Sequence, residues 1–247
     1  DKSTLRQDMI FFANSPEVRF ETVMDWNDDH RFLKTCFDTT VFSDFARNEV
    51  QFGYVKRPTT RSTDWEKAKF EVCNHKYTDL SEPYYGVAVL NDCKYGVSVE
   101  GSKIRLSLHK GGNRPDYTGD HGEHACTYSF LPHSGGFNAQ TVVRPAYALN
   151  YKPLCAKGEL SYASLLQVDK ANIIAETIKP CEDSENAYIV RLYECEGART
   201  QAQLTVPGAK GMAETNMLEE VQQELTQDQS AALTFRPFEI KTVKVRY

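Results

Sequence analysis

The chain has 247 residues, of which 40% are hydrophobic and 26% are charged, the balance of a globular protein large enough to bury a core without cross-links. Its net charge of −5 argues against a general surface for nucleic acid or for an anionic membrane, and no apolar run reaches the roughly 18 residues of a membrane-spanning helix. The seven cysteines are scattered and form no Cys-x-x-Cys pair, so we expect reduced thiols and a cytoplasmic location.

Apolar and polar side chains alternate with a period of two along the whole chain, which predicts β-strands. The segments with this pattern are residues 20–26, 49–55, 85–90, 103–108, 125–131, 173–179, 188–193 and 238–247. Turn sequences separate many of them, at residues 91–92, 111–113, 135–136 and 207–208. Helical signal is confined to 137–149 and to the Glu- and Gln-rich segment 217–226, and neither has an apolar stripe. The sequence therefore predicts an all-β fold, a large antiparallel β-sandwich with little helix.

A soft boundary falls at residues 150–153, where Asn-Tyr-Lys-Pro interrupts the strand pattern. We expect residues 1–150 to form the main β-sandwich. Residues 151–247 would supply the terminal strands, which either continue that sandwich or form a small second sheet.

The densest group of polar residues lies in the segment 110–124, between two predicted strands. It contains Lys110, Arg114, Asp116, Asp120 and His124. A long polar loop on a rigid sheet is a common place for ligand-binding groups. Alternate carboxylate and imidazole side chains on one strand face also suit a metal ion, while Asp and Gly equally form tight turns. A ligand-facing loop, a metal site and turn scaffolding all stay open here.

A second group lies in the segment 70–82, where His75, Asp79 and Glu82 could act in acid–base chemistry. The alternative is a strand that runs into a loop whose Asp and Ser side chains cap backbone groups. No nucleophile elbow, phosphate-binding loop or dinucleotide fingerprint occurs, and no cysteine has the local sequence of a thiol hydrolase. The residues alone thus predict a β-sandwich without an assigned activity.

Short blocks of sequence follow one another in a distinctive order. They include Phe-Glu-Thr-Val-Met-Asp-Trp at 20–26, Gln-Phe-Gly-Tyr-Val-Lys-Arg-Pro-Thr at 51–59, Phe-Glu-Val-Cys-Asn-His-Lys at 70–76, Tyr-Gly-Val-Ala-Val-Leu-Asn-Asp-Cys-Lys-Tyr-Gly at 85–96, Leu-Pro-His at 131–133 and Val-Arg-Leu-Tyr-Glu at 190–194. This series resembles the C-terminal β region of glycoside hydrolase family 38 α-mannosidases, most closely their bacterial and cytosolic branch. The resemblance runs from about residue 3 to the last residue.

The resemblance implies an enzyme that removes terminal α-linked mannose with retention of configuration, through a covalent intermediate on a carboxylate. In that family an N-terminal catalytic domain holds the zinc and the nucleophilic Asp, and the β region is a supersandwich of the galactose-mutarotase-like kind. The chain would then have no catalytic residue, metal ligand or cofactor of its own. Its expected partners are the parent's catalytic domain and a mannose-containing oligosaccharide, and homo-oligomers are expected to be possible.

The resemblance also gives the segment 110–124 a role, because in the family this loop reaches the rim of the active site and carries a basic residue, often Arg. Here Lys110 stands at that position, with Arg114 nearby. Lys lacks the planar fork of Arg, so its contact with a sugar would differ. Asp116, Asp120 and His124 match the family's loop pattern, and we expect them to hold the loop's shape rather than to bind zinc. These five are the candidate substrate-rim residues.

Three further expectations follow. The first strand, near residues 3–12, resembles one from deep within the family's β region, so we expect an exposed or re-paired sheet edge. An alternative function is an autonomous carbohydrate-binding sandwich, whose aromatic platform would use Trp26, Trp65 or Tyr84 with Tyr85, although Trp26 fits a core position better. A third function is independent enzyme activity at His75 or His124.

Overall fold

The computed structural model describes residues 2–159 and 164–247, and it divides the chain into two compact units, Asp1–Lys152 and Pro153–Tyr247. The strands of the first unit are β1 (Thr4–Phe11), β2 (Val18–Trp26), β3 (Arg31–Asp38), β4 (Phe45–Val50), β5 (Gly53–Pro58), β6 (Val72–Cys73), β7 (Tyr77–Ser81), β8 (Tyr85–Asn91), β9 (Gly96–Glu100), β10 (Lys103–Gly111) and β11 (Gly122–Ser134). They form a seven-stranded sheet in the order β1-β2-β11-β8-β7-β4-β5 and a four-stranded sheet in the order β3-β10-β9-β6. The predicted all-β fold is confirmed.

Inward-facing side chains of the two sheets form one buried cluster in the first unit. Its members include Met24 and Trp26 of β2, Val87 and Val89 of β8, Val97 of β9, Ile104, Leu106 and Leu108 of β10, and Cys126 and Tyr128 of β11. Each fully buried side chain of this size contributes about 1.5–3 kcal/mol relative to exposure. The core thus lies between the sheets, as in a sandwich, and it fixes β10 and β11 on either side of their long connecting loop.

The second unit has its own strands and its own hydrophobic cluster. The strands are β12 (Gln167–Val168), β13 (Ile173–Pro180), β14 (Ala187–Glu194), β15 (Thr200–Thr205), β16 (Gly211–Thr215), β17 (Val221–Thr226), β18 (Ser230–Phe235) and β19 (Ile240–Arg246). They form a three-stranded sheet, β12-β15-β18, and a five-stranded sheet, β13-β14-β19-β16-β17. The cluster includes Leu192, Leu204, Met212, Phe235 and Val243.

Helical structure is limited to short segments of the first unit. The predicted helical segment at 137–149 is confirmed as a π-helical turn (Ala139–Val143) followed by α2 (Arg144–Asn150), with Asn138 capping the turn through a hydrogen bond from the Thr141 amide (3.0 Å). Helix α1 (Asp64–Ala68) was not predicted. Thr63 and Glu66 form a capping box at its start, a spacing that the sequence does display. None of the described helices is both long and apolar enough to cross a membrane.

Two predictions of secondary structure were wrong. Residues 49–55 are not one strand but the hairpin of β4 and β5, which turns at Gln51 and Phe52, and Phe52 has a φ of 60°. The apolar Phe52 lies in the turn between Val50 and Tyr54, so apolar residues still recur at every second position and the sequence pattern hides the turn. The segment 217–226 contains strand β17, which lies at a sheet edge with mostly exposed side chains, and its polar composition reflects that exposure.

Strand β1 is the edge strand of the seven-stranded sheet, and β2 is its neighbour there. Leu5 lies opposite the buried Met24, and Met9 lies opposite Phe20. Directly opposed side chains point to the same face of a sheet, so β1 extends the apolar inner face of the sheet. Leu5, Met9 and Phe11 are nevertheless 48%, 61% and 72% exposed. The expected exposed sheet edge is therefore present.

Candidate functional site

Lys110 lies near the end of β10, where it pairs with Phe32 of β3, and its side chain is exposed. The next residue fixes this position. A Cβ atom on Gly111 would overlap with the Asp28 carbonyl oxygen and the Trp26 indole nitrogen. That indole donates a hydrogen bond to the same carbonyl oxygen (2.7 Å). The root of the loop is thus packed directly against the connection between β2 and β3.

The first half of the loop is exposed and stabilised by its own hydrogen bonds. Arg114 precedes a cis proline, and its guanidinium carbon lies 6.0 Å from the centre of the Tyr117 ring. Asp116 accepts hydrogen bonds from the backbone N–H and the hydroxyl group of Thr118, at 3.0 and 2.9 Å. These two bonds lower the pKa of the Asp116 carboxyl group. Asp116 thus forms an Asx turn, which is a way of holding the loop's shape.

The start of β11, immediately after the loop, contacts buried aromatic residues. His124 Nε2 forms a hydrogen bond with the backbone carbonyl oxygen of Asp120 (2.7 Å). The His124 ring lies 4.4 Å from the ring of the buried His109, which in turn lies 4.8 Å from Trp26. Burial, and then the proximity of His124, lower the pKa of His109. His124, expected in the loop, is thus the third residue of β11 and contacts a series of tilted rings that continues into the core.

Two more side-chain pairs attach this loop to the connection between β2 and β3. His121 Nε2 lies 3.1 Å from Asp29 Oδ1, and Asn113 Nδ2 lies 3.1 Å from His30 Nε2. The two cations Lys110 and Arg114 form no ion pair within the described residues. The loop therefore presents two positive charges on a surface whose other polar groups are largely engaged.

The fit of a metal ion to this loop is poor. The described residues contain no group of three or more His, Cys, Asp or Glu side chains arranged to hold a metal. His124 Nε2, which would have to be a ligand, is engaged by the Asp120 carbonyl oxygen. Asp120 and His124 therefore do not form a set of metal ligands in this structure.

The second predicted group does not come together as an acid–base site. Asp79 is fully buried in β7, where it accepts hydrogen bonds from Ser81 Oγ (2.8 Å) and His133 Nε2 (2.9 Å) and lies 3.6 Å from Arg47 Nη1. His75 contacts other groups, with Nε2 3.6 Å from Cys73 Sγ.

Asp79 lies between Ser81 and His133, so the imidazole is not positioned to activate the hydroxyl group as in a hydrolase triad. This network is a buried polar cluster of the sheet. His133 lies 54 residues from Asp79 in the sequence, and no spacing pattern indicated the pair.

The aromatic residues considered for a sugar platform differ in how far they are exposed. Trp26 is 7% exposed, which confirms the core prediction. Trp65 on α1 is 80% exposed, and Tyr84, which precedes β8, is 90% exposed.

Comparisons with known proteins give one consistent result. The family described as "Glycosyl hydrolases family 38 C-terminal domain" matches residues 1–118, and the "Glycosyl hydrolases family 38 C-terminal beta sandwich domain" matches residues 172–243. Alpha-mannosidase G of Dictyostelium discoideum is 39% identical over 98% of this chain, and Alpha-mannosidase 2C1 of Homo sapiens is 39% identical over 96%. The chain spans 23% and 24% of these relatives, about a quarter of their length.

A solved structure supports the fold. An alpha-mannosidase from Enterococcus faecalis V583 aligns with a TM-score of 0.79 over 97% of this chain and 28% of its own, at 20% identity. Both matching family regions are C-terminal modules of one family, and they occur along the sequence in the order of the two structural units. The chain therefore belongs to glycosyl hydrolases family 38, as the C-terminal β region of that family.

Proposed function

We propose that the chain is the non-catalytic C-terminal β portion of a retaining α-mannosidase that hydrolyses terminal α-linked mannose, and that it supports the catalytic domain. The observation that carries this proposal is the coverage: nearly the whole chain aligns with proteins named alpha-mannosidase, while only about a quarter of their length is matched. The chain alone should then release no mannose from an aryl α-mannoside, with or without zinc. The same assay on the parent enzyme with and without this region tests the support role, and release of mannose by the chain alone would contradict the proposal.

The exposed apolar face of β1 supports a catalytic-domain partner. Leu5, Met9 and Phe11 continue the inner face of the large sheet but have no covering layer among the described residues. Gln7 interrupts this surface between Leu5 and Met9, but several large exposed apolar side chains on one sheet face are typical of an interface. On this proposal it packs against the remainder of the enzyme, which would also explain why it is not polar.

The loop between β10 and β11 is proposed to form part of the substrate rim. Lys110 and Arg114 are exposed cations without an ion-pair partner among the described residues, so their N–H groups are available to sugar hydroxyl groups. Asp116, Asp120 and His124 would act only by shaping the loop, through the bonds described above.

Replacing Lys110 by Ala in the parent enzyme tests the rim role. Loss of a charged hydrogen bond to the substrate costs about 1.5–3 kcal/mol, so we expect kcat/KM to fall about tenfold or more. Lys103→Ala is the matched control, because Lys103 begins the same strand and is paired with Asp38 (3.3 Å). Unchanged kcat/KM in Lys110→Ala, or equal losses in both variants, would exclude Lys110 from the rim.

Zinc, which the family resemblance implies, is proposed to be held by the catalytic domain of the parent. A cytoplasmic location is also proposed, and it is supported by the seven free cysteines, four of which are exposed. Homo-oligomerisation remains a prediction, which sedimentation of the parent enzyme would test.

A second candidate function is an autonomous carbohydrate-binding module. The strong exposure of Trp65 and Tyr84 favours it, because exposed aromatic rings are the usual platform for sugar rings. Titration of the chain with mannose and oligomannosides separates the two functions. Saturable binding that is lost in Trp65→Ala or Tyr84→Ala would support the module, and no binding would leave the support role.

A further inference from the structure

A cleft of about 380 Å³ lies at one end of the seven-stranded sheet of the first unit. It is lined by the start of β4 with the connection before it, by the turn between β7 and β8, and by the segment after β11. Strand β11 runs from the loop after β10 to this cleft, and its 13 residues span about 40 Å. The cleft is therefore remote from Lys110 and from the proposed substrate rim, and its volume is in the range of small-molecule sites.

Two polar side chains at the base of the cleft are held in place by the buried network around Asp79. Ser81 Oγ donates a hydrogen bond to Asp79 Oδ1 (2.8 Å), and Arg47 Nη1 lies 3.6 Å from the same oxygen. His133 Nε2 contacts the other carboxylate oxygen (2.9 Å). The Arg47 side chain keeps 17% of its surface exposed and lines the cleft, so a ligand can reach it. The network thus fixes a guanidinium group at the base of the cleft before any ligand binds.

Two carboxylates and one aromatic ring in the walls of the cleft are open to a ligand. Asp44 is exposed and Glu82 is half-buried, and neither side chain forms a hydrogen bond or an ion pair within the described residues. Phe42 is 80% exposed. Carboxylate oxygens accept hydrogen bonds from hydroxyl groups, and an exposed aromatic ring offers an apolar face. The three side chains therefore suit a ligand that has both hydroxyl groups and an apolar face.

The charges around the cleft favour a neutral ligand over an ion. Arg47 is paired with Asp79, and its guanidinium carbon lies 5.0 Å from the centres of the Phe45 and Phe137 rings. These two rings therefore already bind a cation, and they offer little to a second one. Lys56, whose Nζ lies 4.5 Å from the centre of the Phe45 ring, offsets part of the negative charge of the two open carboxylates. The cleft thus has no strong excess of either charge.

We propose that this cleft binds a neutral hexose unit of an oligosaccharide. The sugar ring stacks on Phe42, and its hydroxyl groups donate to Asp44 and Glu82 and accept from the guanidinium group of Arg47. Hydrogen bonds to charged groups are the stronger ones, and hydroxyl groups can both donate and accept them. This inference goes beyond the support role and does not depend on it, since the cleft lies wholly within the first unit, at the opposite end of β11 from the loop with the rim residues.

Titration of the ¹⁵N-labelled chain with methyl α-mannoside tests the site, with methyl α-glucoside and methyl α-galactoside in parallel. We expect saturable shifts for at least one hexoside in the amides of residues 42–47, 81–82 and 136–137, and the tightest binder of the three identifies the hexose. Shifts that stay linear with concentration for all three hexosides would overturn the proposal and leave the mannosidase proposal standing. A lysine-rich peptide that shifts these amides where the hexosides do not would also overturn it, because the cleft would then bind protein.

Variants locate the binding. Phe42→Ala and Asp44→Ala should each weaken hexoside binding about tenfold, because the first removes the stacking face and the second a charged hydrogen bond. Both side chains are exposed, so we expect both variants to fold. Trp65→Ala is the matched control for the ring, since Trp65 is also 80% exposed but lies on α1 and does not line the cleft.

The matched control for the carboxylate is Asp64→Ala, since the Asp64 side chain is 98% exposed and lies outside the cleft. We expect it to leave hexoside affinity unchanged. Equal affinity in Phe42→Ala and Trp65→Ala, or in Asp44→Ala and Asp64→Ala, would overturn the assignment.

Discussion

The loop between β10 and β11 and the buried strand β7 carry the same kinds of side chain in opposite surroundings. In the loop, Asp116 accepts hydrogen bonds from Thr118, and His124 at the start of β11 bonds to the Asp120 carbonyl oxygen, while the cations stay exposed. In β7, Asp79 has no exposed surface and is bound by His133 and Ser81. The difference shows that aspartate and histidine side chains have two distinct uses in one sandwich. One shapes a surface, and the other holds a sheet together from inside.

The largest difference in stability between the two regions is expected at Asp79. Asp79→Asn keeps the shape of the side chain but removes the negative charge that faces Arg47 and His133 in the interior. An unpaired buried charge typically destabilises by about 3–5 kcal/mol, so we expect a loss of that size in the free energy of unfolding, measured with urea. Asp116→Asn is the loop counterpart and should have a much smaller effect. Equal losses in the two variants would mean that β7 is not a structural network.

The next largest loss of stability is expected at Gly111, where the chain leaves β10 and enters the loop. Gly111→Ala forces a methyl group against the Asp28 carbonyl oxygen and the Trp26 indole, so we expect a destabilisation of about 1–3 kcal/mol. Gly112→Ala is the neighbouring control, because its added methyl group meets no atom within 4 Å. Urea unfolding of both variants measures the difference. If they unfold alike, the loop is not anchored at Gly111.

The smallest effect concerns His109, whose ring contacts His124 where the loop meets the core. Burial lowers the pKa of His109 below its ordinary value of 6.5, so the unfolded chain takes up a proton at a higher pH than the folded chain. This contribution to stability is present above pH 6.5 and is lost as the pH falls towards the folded-state pKa.

His109→Phe keeps a ring beside Trp26 and removes that titration. We expect the variant to lose less stability than the wild type between about pH 7.5 and about pH 5.5, as read from urea midpoints. An unchanged pH dependence would show that His109 does not contribute to it.

Much of the scaffold was predictable from alternation, because strands such as β10 and β11 have one buried face and therefore a period of two. The hairpin at Gln51 and Phe52 was missed since the apolar Phe52 lies in the turn and continues the spacing of Val50 and Tyr54. The long polar connection after β10 could be predicted from its turn residues, although Lys110 itself belongs to the strand, whereas the partner of Asp79 could not be predicted. His133 lies on β11 and Asp79 on β7, with β8 between them. Their contact therefore depends on the order of strands in the whole sheet and not on any local segment.

The free edge of β1 has a consequence for handling the chain by itself. Along this eight-residue strand every second residue directs its backbone N–H and C=O groups outwards, beside apolar side chains such as Met9. Two copies brought together at high concentration can therefore continue each other's sheet by strand addition. We expect light scattering to show concentration-dependent self-association that Met9→Lys suppresses. The edge that we propose packs against a catalytic domain thus becomes, in the chain by itself, a site of strand addition between copies.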